Sequence, residues 1–174
     1  YQFKTRVYSE SCLDENSIIK LSSKQSHKLV NVLRMKTSDD IIIFNNISGE
    51  WSAKIDVNKS IVSVECIKKI RNAKKEAGPS LIFSPLKQAR SDWLIEKATE
   101  CGVESIYPTL MKRTSVRNVN IDRYRNYAIG AAEQTGRLSI PEIQPLRKYE
   151  EQLEICEKLN KTIIFCDELR MSPI

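Results

Sequence analysis

Histidine is nearly absent from this chain of 174 residues; His27 stands alone, which excludes a histidine-rich metal site. No two cysteines form a C-x-x-C pair. The five (Cys12, Cys66, Cys101, Cys156 and Cys166) are odd in number and widely spaced, fitting neither a zinc pattern nor a disulfide framework. Several fall in apolar patterns, where a free thiol behaves as a small hydrophobe, so a reducing compartment is expected. Long apolar runs are missing, and the start, Tyr1-Gln-Phe-Lys4, has no signal-peptide core. The sequence therefore predicts a soluble, cytoplasmic protein that does not span a membrane. Internal repeats and low-complexity tracts are also lacking. Acidic residues are in deficit, 22 Asp+Glu against 28 Lys+Arg for a net charge of +6. That excess favours a polyanionic partner such as nucleic acid, without requiring one.

What is present divides in two. Residues 1–70 read as a β-rich module with one helix. Residues 2–8 alternate, with Phe3, Thr5 and Val7 on one face and Lys4, Arg6 and Tyr8 on the other. Ser22-x-x-Gln25 resembles a capping box opening a helix over 23–35 with Leu29, Val32 and Leu33 on its apolar face. Runs at 41–44 and 51–57 flank Asn45-Asn-Ile-Ser-Gly49, a hairpin signal, and 61–70 adds another strand. Short strands at this spacing predict a small barrel. Residues 71–79 are polar, end in Gly78-Pro79, and read as a linker.

From residue 80 the pattern changes to alternating strands and helices, the signature of a parallel sheet with crossover helices. Strands are predicted at 81–84 and 105–107, a basic loop at 112–117, and helices at about 90–101 and 122–134. Leu94, Ala98 and Cys101 form one apolar stripe, stopped by Gly102; Ile121, Tyr124, Ala128, Ala131 and Thr135 form another, stopped by Gly136. A last helix over about 148–159, burying Leu153, Cys156 and Leu159, leads into a strand at 162–166. Because a parallel sheet rarely stops just after a strand, a C-terminal portion is expected to be absent from this chain.

Several phrases carry a resemblance: His27-Lys-Leu-Val-Asn-Val-Leu-Arg34, Leu86-Lys87, Trp93-Leu-Ile-Glu-Lys-Ala-Thr-Glu-Cys-Gly-Val103, Pro108, Arg113, Ala131-Ala-Glu-Gln-Thr-Gly-Arg137 and Pro141. In this order they resemble the ribosomal RNA small subunit methyltransferase E family over residues 1–166. The resemblance implies an N-terminal PUA-like barrel for RNA (1–70), a linker (71–79) and the first part of a SPOUT-type α/β knot domain (80–174). It implies S-adenosylmethionine-dependent methylation of uridine N3 in 16S rRNA, by a homodimer. The family's Gly-Pro-Glu-Gly-Gly loop and its later Leu-Gly-x-x-Ile-Leu-Arg-x-Glu-Thr-Ala segment do not occur here. No cofactor-binding residue is therefore expected in this chain, which would stop before the knot. The alternative is a non-catalytic RNA-binding protein that keeps the barrel and part of an α/β platform.

Uracil N3 carries a proton and is a weak nucleophile, so methyl transfer needs near-attack geometry and is helped by a base. Glu133 is the carboxylate proposed to act as base or orienting group, with Arg137 beside it. Lys87 and Arg113 follow sheet strands at the edge where ligands of such sheets gather; each holds a phosphate or is a solvated loop cation. Gln134 and Arg137 contact the target nucleotide, or Arg137 answers a helix dipole. In the barrel, Lys4, Arg6, His27, Lys28 and Arg34 are candidate RNA contacts that set register on phosphates. Tyr8 and Trp51 stack on bases or pack inside the barrel. Glu96, Lys97 and Glu100 read as a surface charge pattern.

Overall fold

The computed structural model describes residues 5–59, 61–74 and 76–166. Strands β1 (Arg6–Tyr8), β2 (Ile18–Lys20), β3 (Asp40–Asn45), β4 (Gly49–Asn58) and β5 (Ile61–Arg71) form one sheet in the order β1-β3-β4-β5-β2. Only the β1–β3 pair is parallel. Four steps of about 4.8 Å would hold the edge strands of a flat sheet about 19 Å apart. Yet Val7 of β1 and Ile19 of β2 belong to the same buried cluster as Ile41, Ile43, Ala53, Ile55, Val62 and Val64. The sheet must curl to achieve this, which gives the PUA-like barrel its single interior. Asn45 shapes the β3–β4 turn by accepting from the N–H groups of Ile47 and Ser48. Trp51 is buried within the barrel, donating from Nε1 to Ser48 O, so it packs and does not stack on a base.

Helix α1 (Ser23–His27) opens with the full capping box between Ser22 and Gln25. It does not run to residue 35. Its last turn widens into a π-helical segment, Lys28–Val32, in which Leu33 N–H donates to Lys28 O five residues back. That change of period rotates the predicted stripe out of register. Leu29 is fully buried, whereas Val32 is 63% exposed and Leu33 44% exposed.

The second sheet is parallel: β6 (Ser80–Phe83), β7 (Ser105–Leu110) and β8 (Glu142–Ile143), with β9 (Arg147–Lys148) following β8 along the same side of β7. Helices α2 (Gln88–Glu100) and α3 (Ile121–Thr135) are its crossovers and pack together over Phe83, Ile95, Ala98, Ile106, Tyr124 and Ala128. The buried side of α2 is Ser91, Asp92, Ile95, Ala98 and Thr99; of the predicted Leu94–Ala98–Cys101 stripe, Ala98 is buried and Leu94 packs partly buried against the core, while Cys101 is exposed. Its polar members are satisfied internally: Ser91 Oγ bonds Leu86, Thr99 Oγ1 bonds Ile95 O, and Asp92 pairs with Arg123. Helix α4 (Tyr149–Lys158) buries Gln152 and Cys156, while Leu159 is exposed. Residues 162–166, predicted as a strand, have no regular structure, since no strand among the described residues forms a ladder with them; Ile164 is 83% exposed.

Candidate nucleic-acid interface

Ligands of parallel α/β sheets gather beyond the carboxyl ends of the strands. Here those ends lead into two segments, 84–91 after β6 and 111–120 after β7. They are tied together by a 2.6 Å hydrogen bond between Ser84 Oγ and Thr114 Oγ1. Thr114 Oγ1 also accepts from Met111 N–H, which closes the second loop on itself. The two segments contain Lys87, Arg90, Lys112, Arg113 and Arg117 and not one Asp or Glu. All five cations are exposed, and none forms an ion pair among the described residues. Lys87 and Arg113 were predicted; Arg90, Lys112 and Arg117 were not singled out, though the acid-free composition of both segments was there to be read.

The predicted catalytic pair is placed differently. Arg137 is buried, 8% exposed. Its Nη1 and Nη2 donate to Thr99 O (2.9 Å) and Val103 O (2.7 Å), capping the carboxyl end of α2, while Nε reaches Ser139 Oγ and Glu76. Every donor nitrogen has a protein partner, so Arg137 holds this part of the structure together. Glu133 accepts from Tyr8 N–H through Oε1 and pairs with Lys28 Nζ through Oε2 at 2.7 Å. It joins the barrel to α3 and is not presented as a base.

Arg6 was predicted to touch RNA. It lies with its side chain largely buried against the Phe44 ring at 3.9 Å and donates to Ala132 O, Glu133 O and Arg137 O at the end of α3. Burial, set against its ion pair with Glu50, lowers the Arg6 pKa. Glu50, itself buried, bridges Arg6 and Arg71, and Arg71 donates to Gly136 O. The helix that ends in Ala131–Arg137 is therefore capped by two arginines of the barrel, the sign a helix carboxyl terminus favours. His27, Lys28, Arg34 and Gln134 are exposed, Arg34 with a left-handed φ of 54°. Lys4 lies outside the described residues. Tyr8 is half-buried edge-on to Phe44.

The segment read as a linker is anchored too. Glu76 accepts from Arg137 Nε, Ser139 Oγ and the N–H groups of Leu138 and Ser139. Burial alone would raise its pKa, but the bonds from Ser139, Leu138 and Arg137 together outweigh that and hold it below the ordinary value. Gly78 sits against the carbonyl of Gly102 so closely that a Cβ there would collide with it.

An RNA methyltransferase domain model matches residues 74–173, and an RNA methyltransferase PUA domain model matches residues 21–65. The first match covers more than half of the chain. The chain belongs to the RNA methyltransferase family. It is similar to ribosomal RNA small subunit methyltransferase E of Rickettsia conorii, 32% identical over 94% of this chain and 66% of the relative. The protein of the same name from Buchnera aphidicola is 34% identical over 92% of this chain and 66% of its own. A crystal structure of the Neisseria gonorrhoeae methyltransferase E, bound to S-adenosyl methionine, superposes with a TM-score of 0.77 at 25% identity, covering 86% of this chain and 64% of that one. The chain thus spans about two thirds of the length of the relatives it matches.

S-adenosylmethionine does not fit the loops described here. Neither segment beyond β6 and β7 contains a glycine, so neither offers a backbone bare enough to wrap an adenosyl group closely. What those loops offer is cationic side chains, suited to RNA phosphates.

Proposed function

We propose that this chain grips and orients RNA within an S-adenosylmethionine-dependent methyltransferase acting on N3 of one uridine in the 16S rRNA of the small ribosomal subunit. The protein acts in the cytoplasm as a homodimer. Residues 1–70 hold RNA, 71–79 connect, and 80–174 belong to the methyl-transferring half. The reading is carried by the acid-free cationic rim at the strand ends, within the segment that the methyltransferase model matches. The names of the relatives support the class of reaction and the ribosomal substrate.

In this reading Lys87, Arg90, Lys112, Arg113 and Arg117 neutralise the phosphates flanking the target, and His27, Lys28, Arg34 and Gln134 extend the contact onto the barrel side. The target base leaves its stack to be methylated, as bases read by single-strand binders do. The protein contributes orientation, and the reactive carbon comes from the methyl donor.

The test is RNA affinity as a function of salt. Lys87→Gln with Arg113→Gln weakens binding to small-subunit rRNA fragments and lowers the slope of log affinity against log salt by about two. An unchanged slope removes the rim from the interface. The reaction itself is checked with the full-length methyltransferase that contains this chain, incubated with 16S rRNA and S-adenosylmethionine, by digesting the RNA and matching the product nucleoside to authentic N3-methyluridine in both retention time and mass.

A further inference from the structure

Between the barrel and the α/β half lies an open cleft of about 470 Å³, lined by Lys24 of α1, Gln88 of α2, and Asn120, Asp122, Arg123, Asn126 and Tyr127 at the start of α3. Its volume is in the ~300–1,000 Å³ range of small-ligand sites. Gln88 follows Lys87 in the chain and Asn120 ends the loop that carries Arg113 and Arg117, so the cleft continues the cationic rim. Its own charge differs. The Arg123 guanidinium is chelated by Asp92 through Nε and Nη2 at 2.6–3.1 Å, and the other charged lining residues are one cation, Lys24, and one anion, Asp122. The formal charges cancel, which makes the cleft a poor phosphate site.

Its chemistry is that of carboxamides. Asn120 Oδ1 caps α3 by accepting from Arg123 N–H, which leaves its NH₂ without a partner among the described residues. Gln88 also lines the cleft; turned so that its oxygen faces Arg123 it accepts from Nη1, and in that orientation its NH₂ is left over. Asn126 donates once, to Asp122 O. Arg123 lies over the Tyr127 ring and donates to its hydroxyl, which fixes both groups. The hydrogen-bonding capacity left over combines the N–H donors of Asn120 and Gln88 with the acceptor oxygens of Asp122, beside a held aromatic ring, a set that matches two carbonyl oxygens flanking one N–H.

We propose that this cleft takes one unpaired RNA base next to the target, and that it selects a base bearing carbonyl oxygens, such as uracil, over adenine. Single-stranded RNA is read in this way, by stacking and by bonds to exposed base edges. The proposal rests on the RNA-binding reading above and adds a subsite to it.

The experiment is fluorescence anisotropy of the full chain with labelled oligouridylate and oligoadenylate of equal length. The unaltered chain binds oligouridylate about tenfold more tightly, equivalent to one well-placed pair of base contacts. The double variant Asn120→Ser/Asn126→Ala binds the two equally, with its salt slope unchanged, since base contacts release no counterions. Serine keeps the helix cap and alanine suits the exposed helical position, so the fold is preserved. A uridine preference that survives the double variant, equal binding by the unaltered chain, or a lowered salt slope in the variant each overturns the cleft assignment alone. Failure of the unaltered chain to bind either RNA overturns the RNA-binding reading with it.

Discussion

Arg137 is the residue whose assignment the structure changes most. It sits one position beyond the glycine that stops α3, yet its guanidinium serves the end of α2, donating to Val103 O and adding a second donor to Thr99 O, which also accepts from Gly102 N–H. Arg137→Ala is expected to destabilise the fold by about 3–5 kcal/mol, the range for removing one partner of a buried charged network, measured by urea unfolding. Arg137→Lys does not restore it, because an ammonium cannot span both carbonyls and the carboxylate. Its partner Glu76 has a depressed folded-state pKa. Its contribution to stability is therefore complete above the unfolded-state value of about 4.3 and is lost as pH falls through the lower folded value. Unfolding midpoints taken at descending pH in that acid window fall less steeply in Glu76→Gln than in the unaltered chain. Gln152 presents the opposite case: it is 1% exposed, and its Oε1 has no hydrogen-bond partner among the described residues. Gln152→Met removes an unsatisfied acceptor at similar volume and is expected to raise stability by about 1 kcal/mol, read from the same urea curves.

Among the elements, the two turns that depend on glycine differ in kind. Gly102 ends α2 with φ +86° and has open space where a Cβ would be; Gly49 starts β4 with φ +88° and has the Arg71 carbonyl in that place. Gly102→Ala is expected to cost about 1–2 kcal/mol of left-handed strain. Gly49→Ala costs more, since the β4 and β5 backbones must separate, and comparing the two thermal midpoints checks the order. Most of the elements were legible in the sequence because hydrophobic period and turn chemistry agreed: the capping box at Ser22, the Asn45–Gly49 hairpin, and the Gly102 and Gly136 stops. The failures share one cause. Where burial falls on polar residues satisfied from within, as at Ser91, Asp92 and Thr99, a reading of apolar stripes selects neighbours one step around the helix. The π-helical turn after His27 escaped notice for a related reason, because its widened period follows from how Leu29 enters the barrel core.

At the scale of the molecule, the cationic rim was half legible, because both segments are local in sequence and carry no acid. The carboxamide cleft was not, since it draws Lys24, Gln88 and Asn120–Tyr127 from distant parts of the chain. The partners of Arg6 and Glu133 were not legible either, because a charged side chain that joins two folding units cannot be told, in sequence, from one that waits for RNA. The junction they help to make has a practical consequence. Glu50, with Arg6 and Arg71, rivets the barrel to α3, reinforced by Lys28–Glu133, Arg125–Glu10 and the packing of Phe44 on Ala132 and Leu138. A tryptic nick after the exposed Lys74 should therefore yield two pieces on a denaturing gel that still elute from a sizing column as one particle.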